Sequence, residues 1–167
     1  MLFVSGASLY GYLLNSADLS DLSGDTDISY GDIDFSFYDA DGNLFRLSDF
    51  YGHPVVLNLW ASWCGPCQYE MPVFQKYYDT EENVTFIMLN QCDGRRETVA
   101  KASQFVGKNN YTFPVYFDMK SESMIALDTI YLPTTVFINA DGEIVAVHTG
   151  LIYENQFVSF LEQIKEE

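Results

Sequence analysis

The sequence contains little cysteine, few basic residues and no long apolar run. Three cysteines in 167 residues are too few for a fold held together mainly by disulfides. Only eight Lys and Arg residues stand against 24 Asp and Glu residues, so the formal net charge is −16. This charge argues against binding to a nucleic-acid backbone or to anionic lipid headgroups. No segment approaches the ~20 consecutive apolar residues that a membrane-spanning helix needs.

The composition is that of a packed globular protein. Hydrophobic residues make up 48% of the chain and aromatic residues 16%, which argues against an intrinsically disordered chain. A length of 167 residues is enough for one domain with a sizeable core and too short for two. We therefore expect one domain with an acidic, solvated surface.

The first 31 residues differ in composition from the rest. Met1–Leu14 are apolar but have no Lys or Arg ahead of them, and residues 15–31 are rich in Ser, Asp and Gly, like a linker. The apolar segment is either the remnant of a signal-anchor or the N-terminal tail of a soluble protein. We expect residues 1–31 to form this segment and its linker, and residues 32–167 to form the folded domain.

From Asp32 onward, strand and helix patterns alternate. An Asp41-Gly42 turn between two short apolar segments predicts a hairpin. Val55–Ala61 is an almost continuous apolar run, typical of a central strand buried on both faces. A helix is expected from about Cys64 to Tyr78, with a kink at Pro72. The remaining predicted elements are a strand at Val84–Asn90, a helix with Val99, Ala102, Phe105 and Val106 on one face, a strand at Phe113–Asp118, a short helix at Ser121–Leu127, a strand at Pro133–Asn139, a turn at Asp141-Gly142 followed by another strand, and a helix at Glu154–Lys165. This order predicts an α/β fold with a mixed sheet.

The segment "WASWCGPC", Trp60 to Cys67, follows the predicted central strand. Its two cysteines occupy the first turn of the next helix. In open α/β sheets, ligands and active sites are found at this end of the strands. Free N–H groups and the helix dipole favour a thiolate there and lower its pKa. Cys64 is expected to be the more exposed nucleophile. Cys67 would then attack the mixed disulfide, with Gly65-Pro66 holding the short loop.

Two structural roles compete with redox chemistry for this pair. A zinc site normally needs four ligands, but the sequence has no second Cys-x-x-Cys, and His53 and His148 are isolated. A permanent structural disulfide would close a loop too short to constrain the unfolded chain much. The pattern therefore favours a redox-active pair.

Several motifs together resemble the thioredoxin superfamily, and most closely its TlpA-like or ResA-like branch of extracytoplasmic thiol–disulfide oxidoreductases. The resemblance extends over Asp32–Lys165. It implies a thioredoxin-like fold, in which helices flank a central mixed β-sheet and an extra N-terminal β-hairpin is present. The motifs are Cys64-Gly-Pro-Cys67 after a buried strand, "CQYEMP" with Glu70 and Pro72, "FPVYFD" at Phe113–Asp118, "YLPTTVFINADG" at Tyr131–Gly142 and "HTG" at His148–Gly150.

The resemblance implies specific roles for individual residues. Cys64 is the nucleophile and Cys67 the resolving thiol. Pro133 matches the family's cis-proline, and the backbone of Leu132 before it pairs with an extended substrate segment. The residues expected to flank the pair and face substrate are Trp63, Gly65 and Pro66, with Trp60 either flanking the pair or packed in the core.

The sequence also departs from the family pattern. Cytoplasmic thioredoxins have a buried aspartate where Asn58 stands, and an amide cannot exchange a proton at neutral pH. Asp93 matches a carboxylate of the ResA-like branch, so it is either the base for the buried thiol, with a pKa raised by burial, or the first residue of an Asp-Gly turn. Cys92 is either a third redox thiol at the same sheet edge or an inert buried cysteine. Glu70 either matches a family position or is a solvated helix charge.

The function predicted from these residues is reduction of protein disulfides by the Cys64/Cys67 relay, since Gly-Pro is the spacer of reducing thioredoxins. The resemblance implies extracytoplasmic clients, such as apocytochrome c or oxidised surface proteins, and a reducing donor in the membrane. We expect a monomer that binds no metal, nucleotide, haem or nucleic acid. The alternatives are a thiol peroxidase, a binding module that uses the cis-proline groove, and a cytoplasmic location.

Overall fold

The computed structural model describes residues 33–165, which form a seven-stranded mixed sheet with helices on both faces. The N-terminal segment expected over residues 1–31 lies outside the described residues. The sheet order is β2-β1-β5-β4-β3-β6-β7. The strands are β1 Ser36–Tyr38, β2 Leu44–Arg46, β3 Val55–Trp60, β4 Thr85–Gln91, β5 Val115–Asp118, β6 Thr134–Ile138 and β7 Ile144–Thr149.

Strand β3 occupies the centre of the sheet, as its apolar run predicts. All six of its residues are buried. It pairs in parallel with β4 and antiparallel with β6, so neither of its edges is free. Because β3 ends at Trp60, four residues before Cys64, its position fixes where the chain leaves the sheet and enters the cysteine segment.

In the described part of the chain, four α-helices and a short 3-10 helix cover the two faces of the sheet. The predicted helix after the cysteine segment is confirmed, and Pro72 lies inside it. Within residues 33–165, none of the helices has the length and apolarity needed to cross a membrane. The helices are α1 Gly65–Tyr78, α2 Val99–Lys108, α3 Glu122–Ala126 and α4 Glu154–Gln163, and the 3-10 helix is Leu47–Phe50.

Alternate residues of the strands feed two apolar clusters, one on each face, because successive strand side chains point to opposite sides. Val56 and Trp60 join α1, α2 and α4 on one face. Val55, Leu57 and Leu59 pack on the other face with residues of the hairpin, the 3-10 helix and the segment around α3. The helix that carries the cysteine pair is therefore anchored by a core on its own side of the sheet.

Both predicted Asp-Gly turns are present. Gly42 and Gly142 have φ values of 84° and 88°, which only glycine adopts without strain. The first turn joins β1 and β2 into the expected N-terminal hairpin, which pairs through β1 with β5. The second leads into β7 at the opposite edge, so antiparallel pairs occur at both edges of a parallel β3-β4-β5 centre.

Helix α4 supplies the clearest test of the core. Phe157 is fully buried, and its ring centroid lies 5.1 Å from that of Phe74 and 5.7 Å from that of Phe137. We expect Phe157→Ala to lower the free energy of unfolding by about 3–5 kcal/mol, since it removes a buried ring and leaves a cavity. Denaturant unfolding of the oxidised protein measures this loss. The matched control is Ile125→Ala, which alters a side chain that is 76% exposed and should change stability by less than about 0.5 kcal/mol. Equal losses in the two variants would mean that α4 is not docked as described.

Candidate active site

The cysteine pair lies where the sequence predicts it, at the start of α1. Cys64 and Cys67 form a disulfide, with their Cα atoms 5.2 Å apart. Cys64 is the N-cap residue of α1, and its sulfur accepts a hydrogen bond from the backbone N–H of Cys67 at 3.3 Å. Cys64 is 5% exposed and Cys67 is fully buried, in the expected order. The sulfur of Cys64 therefore lies at the positive end of a helix and binds an N–H group that has no carbonyl partner within that helix.

The loop before β6 contains the predicted cis-proline. The Leu132–Pro133 peptide bond is cis, and β6 begins at the next residue. The carbonyl of Pro133 accepts a hydrogen bond from Gly150 N–H at 2.8 Å, which ties this loop to the end of β7. Leu132 is partly buried and contacts both apolar clusters.

A pocket of about 310 Å³ lies beside the site, between the cysteine segment and the loop that carries Leu132. Ile130 and Tyr131 are 80% and 63% exposed and form part of its rim. Exposed apolar side chains next to a reactive pair are suited to contact with another chain. The lining residues are Trp63, Gln91, Cys92, Asp93, Ser121, Met124, Ile130, Tyr131 and Leu132.

The two tryptophans of the motif have different environments. Trp63 is 42% exposed, lines the pocket and carries the guanidinium of Arg96 stacked over its ring at 3.5 Å. Trp60 is fully buried and packs against Phe105, so it belongs to the core. Gly65 and Pro66 are exposed in the first turn of α1, on the surface beside Cys64.

Glu70 is a buried carboxylate one helical turn beyond Cys67. It is 1% exposed, so the interpretation of a solvated helix charge is wrong. Its Oε1 accepts from Asn58 Nδ2 at 2.8 Å, and its Oε2 accepts from the backbone N–H of Ile152 at 3.0 Å. The Asn58 amide also donates to Thr135 Oγ1 at 3.1 Å, so it links α1 to β6. Asn58 thus holds the Glu70 carboxylate in the buried space between β3 and α1.

Burial dominates the protonation of Glu70. Loss of solvation raises the pKa of Glu70 to about 7, although the hydrogen bonds from Ile152 and Asn58 oppose this shift. A carboxyl group with this pKa exchanges its proton at neutral pH. Helical periodicity could have predicted its burial, because Cys67, Glu70, Met71 and Phe74 follow the i, i+3, i+4, i+7 spacing of one buried face.

Asp93 has the environment of a turn residue, and the prediction that burial raises its pKa is wrong. Its side chain is exposed, and its Oδ1 accepts from the backbone N–H groups of Arg95 at 2.8 Å and Glu97 at 2.9 Å. The backbone hydrogen bonds from Glu97 and Arg95 lower the pKa of Asp93 below its usual value. Asp93 is therefore an ionised turn cap at neutral pH.

Cys92 lies at the same sheet edge as the pair, as expected, and lines the pocket. It is a free, buried cysteine whose Sγ donates to Asn90 Oδ1 at 3.2 Å. Burial and then the nearby charges of Glu97, Asp93 and Asp118 raise the pKa of the Cys92 thiol to about 11. Its thiolate is scarce at neutral pH, which favours the inert interpretation.

A metal centre finds no support among the described residues. Across residues 33–165, His, Cys, Asp and Glu side chains form no group of three or more that could hold an ion. His148, one of the two histidines, lies with its Nε2 3.1 Å from the carbonyl oxygen of Leu151.

Comparisons with known proteins agree with the predicted resemblance and fold. The Redoxin family matches residues 31–163. The thiol-disulfide oxidoreductase ResA of Halalkalibacterium halodurans is 35% identical over 137 residues, which are 81% of this chain and 76% of that protein. The crystal structure of StoA from Bacillus subtilis has a TM-score of 0.66 at 27% identity and covers 78% of this chain and 98% of its own. An exposed lipoprotein thioredoxin from Streptococcus pneumoniae strain TIGR4 has the same TM-score of 0.66 and the same coverages of 78% and 98%, at 25% identity. Because the family match and the ResA relative both extend over most of the sequence, the chain belongs to the redoxin family.

Proposed function

We propose that this thiol–disulfide oxidoreductase reduces disulfides in client proteins by a relay between Cys64 and Cys67. The observation that carries the proposal is the pair itself, with two sulfurs in bonding contact at a helix N-terminus beside a pocket with an exposed apolar rim. Gly65-Pro66, the spacer of reducing thioredoxins, supports reduction as the direction. The roles of Cys64, Cys67 and Leu132-Pro133 in the cycle are part of this proposal.

The cycle begins with both cysteines reduced. The Cys64 thiolate attacks one client sulfur, so a Cys64–client bond forms, the client S–S bond breaks, and the other client sulfur leaves and takes up a proton. Cys67 then loses its proton and attacks the Cys64 sulfur. The Cys64–Cys67 disulfide forms, and the first client sulfur leaves and is protonated. The client gains two electrons and two protons, and a separate reducing donor must restore both to the pair.

Glu70 is the carboxylate that we assign to the second step, in place of Asp93. It lies on the same buried face of α1 as Cys67, one turn away, and its pKa of about 7 suits proton transfer at neutral pH. Asp93 is exposed and committed to backbone hydrogen bonds. Glu70 would accept the Cys67 proton as that thiol attacks.

The pocket is where a client segment would bind. This segment would lie across Leu132, with an apolar side chain beside Trp63. The rim of the pocket combines exposed apolar residues with backbone at the cis-proline loop, which suits an extended peptide. The clients would be disulfide-containing proteins, with apocytochrome c or oxidised surface proteins as the class implied by the family.

We also propose that the protein acts outside the cytoplasm, with residues 32–167 as the catalytic domain and residues 1–31 as an apolar segment and linker that tether it. Similarity to an exposed lipoprotein thioredoxin supports this location. Labelling of reduced Cys64 in intact cells by a membrane-impermeant maleimide would support it, and labelling only after lysis would contradict it.

The relay predicts different defects for the two cysteines in a Cys92→Ser background. Cys64→Ser should abolish insulin reduction, because the attacking sulfur is gone. Cys67→Ser should accumulate a mixed disulfide with insulin, since the resolving sulfur is missing. Non-reducing electrophoresis and insulin turbidity measure both outcomes.

The same assay contains its control and tests the pocket. Cys92→Ser alone should reduce insulin like the unmodified protein, because Cys92 has no role in the relay. Ile130→Asp, added to Cys67→Ser, should trap less insulin but react normally with a small disulfide. Full insulin reduction by Cys64→Ser would exclude the relay.

The direction of electron flow predicts the reduction potential of the Cys64–Cys67 pair. A reductase should have a value near −270 mV, roughly that of thioredoxin, whereas a disulfide donor would lie near about −120 mV. Equilibration of the Cys92→Ser protein with dithiothreitol or glutathione buffers measures it. A value at the oxidising end would reverse the proposed direction while keeping the exchange activity.

The assignment of Glu70 predicts a pH dependence for release of the client from a preformed mixed disulfide. Between pH 6 and 8 the carboxyl group passes from about one tenth to about nine tenths ionised, because its pKa is about 7. The release rate should rise with an inflection near pH 7. Glu70→Gln should be about 10- to 100-fold slower at pH 7 and lack the inflection. Asp93→Asn is the matched control, and it should keep the inflection; its loss there would return the role to Asp93.

The raised pKa of Glu70 also has a consequence for stability. The folded state holds this proton more tightly than the unfolded chain, so the contribution is fully present below about pH 4.5 and is lost as the pH rises through about 7. The free energy of unfolding of the wild type should therefore fall relative to Glu70→Gln between pH 5 and 8. Parallel curves for the two proteins would show that Glu70 titrates normally.

A further inference from the structure

A second buried carboxylate, Glu97, lies behind the cysteine segment and has no part in the relay described above. It is fully buried. Its Oε1 accepts from the backbone N–H of Ser62 at 2.8 Å and from Asn90 Nδ2 at 2.7 Å. Its Oε2 accepts from the hydroxyl of Ser62 at 2.7 Å. One side chain thus binds both hydrogen-bond donors of Ser62, the residue two positions before Cys64.

The loop that carries Glu97 is itself held in place. Asp93 accepts from the backbone N–H of Glu97, and the carbonyl of Glu97 accepts from Gly94 N–H at 3.0 Å. Lys101 Nζ donates to the carbonyls of Arg95 at 2.9 Å and Arg96 at 2.8 Å. The Glu97 carboxylate is therefore presented from a fixed backbone, and the turn formed by Asp93 serves this purpose.

The segment that Glu97 binds at Ser62 leads directly to Cys64. Ser62 also uses its carbonyl, which accepts from Gln68 Nε2 at 2.6 Å, and Cys64 N–H donates to Ala61 O at 3.1 Å. Trp63 between them stacks under Arg96, from the same loop as Glu97. Ser62 and Trp63 are thus tied to α1 or to the Glu97 loop, and Cys64 is bonded back to Ala61.

The contacts of Glu97 are those expected of an anchor. A buried carboxylate is costly unless donors surround it, and hydrogen bonds to a charged acceptor are among the strongest in proteins. Three donors converge on Glu97, and they come from two separate elements, the cysteine segment and the end of β4. Removal of the carboxylate would leave Ser62 N–H and Asn90 Nδ2 without these partners.

We propose that Glu97 is a positioning residue that fixes Ser62 and Trp63 and thereby sets the place of the Cys64 sulfur for attack. The inference rests on the proposed relay, in which Cys64 is the attacking group. A displacement of a reacting atom by about 1 Å can cost about 100-fold in rate, so a fixed segment before Cys64 has kinetic value. Glu97 contacts no reacting atom and acts only through Ser62.

The test compares Glu97→Ala with Glu97→Gln in a Cys92→Ser background. Glutamine loses the same charge as alanine but keeps the contacts, because its oxygen accepts from Ser62 N–H and Asn90 and its amide donates to the Ser62 hydroxyl. The rate constant of the reduced protein with 5,5′-dithiobis(2-nitrobenzoate), measured from pH 5 to 9, reports Cys64 reactivity. The unfolding midpoint reports stability.

We expect Glu97→Ala to lower the rate constant about tenfold or more and to shift the midpoint of its pH dependence. Glu97→Gln should restore most of the rate. The control is Asp34→Ala, at the β2 edge of the sheet. Asp34 binds Ser48 as Glu97 binds Ser62, because its Oδ1 lies 3.2 Å from Ser48 N and its Oδ2 lies 3.0 Å from Ser48 Oγ. Asp34→Ala should lower the unfolding midpoint but leave the rate and its pH midpoint unchanged.

Three results would overturn the proposal: parental kinetics in a folded Glu97→Ala variant, equal losses in the alanine and glutamine variants, or a kinetic shift in Asp34→Ala as large as that in Glu97→Ala. Should Glu97→Ala fail to fold, Ser62→Ala decides, because it removes only the hydroxyl contact. A slower reaction at an unchanged unfolding midpoint would support positioning, and an unchanged rate would overturn it. The reagent needs no client, so failure to reduce insulin would count against the proposed function alone.

Discussion

The full burial of β3 is the constraint on which the rest of the site depends. This strand is paired on both edges and packed on both faces, which fixes its position in the sheet. The point at which the chain leaves the end of the strand is therefore fixed as well. The cysteine segment and α1 start there, and the apolar face of α1 completes the core on that side. The stability of the core and the place of the redox pair are thus set by the same strand, and a packing change in β3 would move the chemistry with it.

Two buried carboxylates flank the segment that β3 delivers, and their surroundings suit different tasks. Glu70 receives two hydrogen bonds, and burial outweighs both, so its pKa rises to about 7 and its proton is exchangeable. Glu97 receives three hydrogen bonds from two elements that must stay together. A carboxyl group that exchanges a proton near neutral pH needs surroundings that stabilise its charged form only weakly. A carboxylate that anchors a segment needs as many hydrogen-bond donors around it as possible. Asn58 links the first of these groups to the sheet, and Asn90 does the same for the second.

The strands, the helices and the cysteine pair were predictable from sequence because each depends on local periodicity or on adjacent residues. The choice between Asp93 and Glu70 was not predictable in this way, because the place of a residue in a motif does not show whether its side chain is buried. Helical spacing would have put Glu70 on the buried face with Cys67, but the identity of its partners depends on Asn58 and on the backbone of Ile152, 82 residues away. Glu97 had no signal at all, because its contact with Ser62 joins loops that lie 35 residues apart.

The acidic character of the chain has a local effect at the pocket. Cys92 lines the same pocket as Trp63 and Leu132, so a client disulfide held there would meet a third sulfur. With a pKa of about 11, raised by burial and by three acidic neighbours, only about one in 10⁴ of these thiols is ionised at pH 7. Because exchange proceeds through the thiolate, attack by Cys92 is suppressed by that fraction. The negative charge that disfavours a thiolate at Cys92 and the helix N-terminus that favours one at Cys64 therefore act in the same direction, and both favour Cys64 as the attacking sulfur.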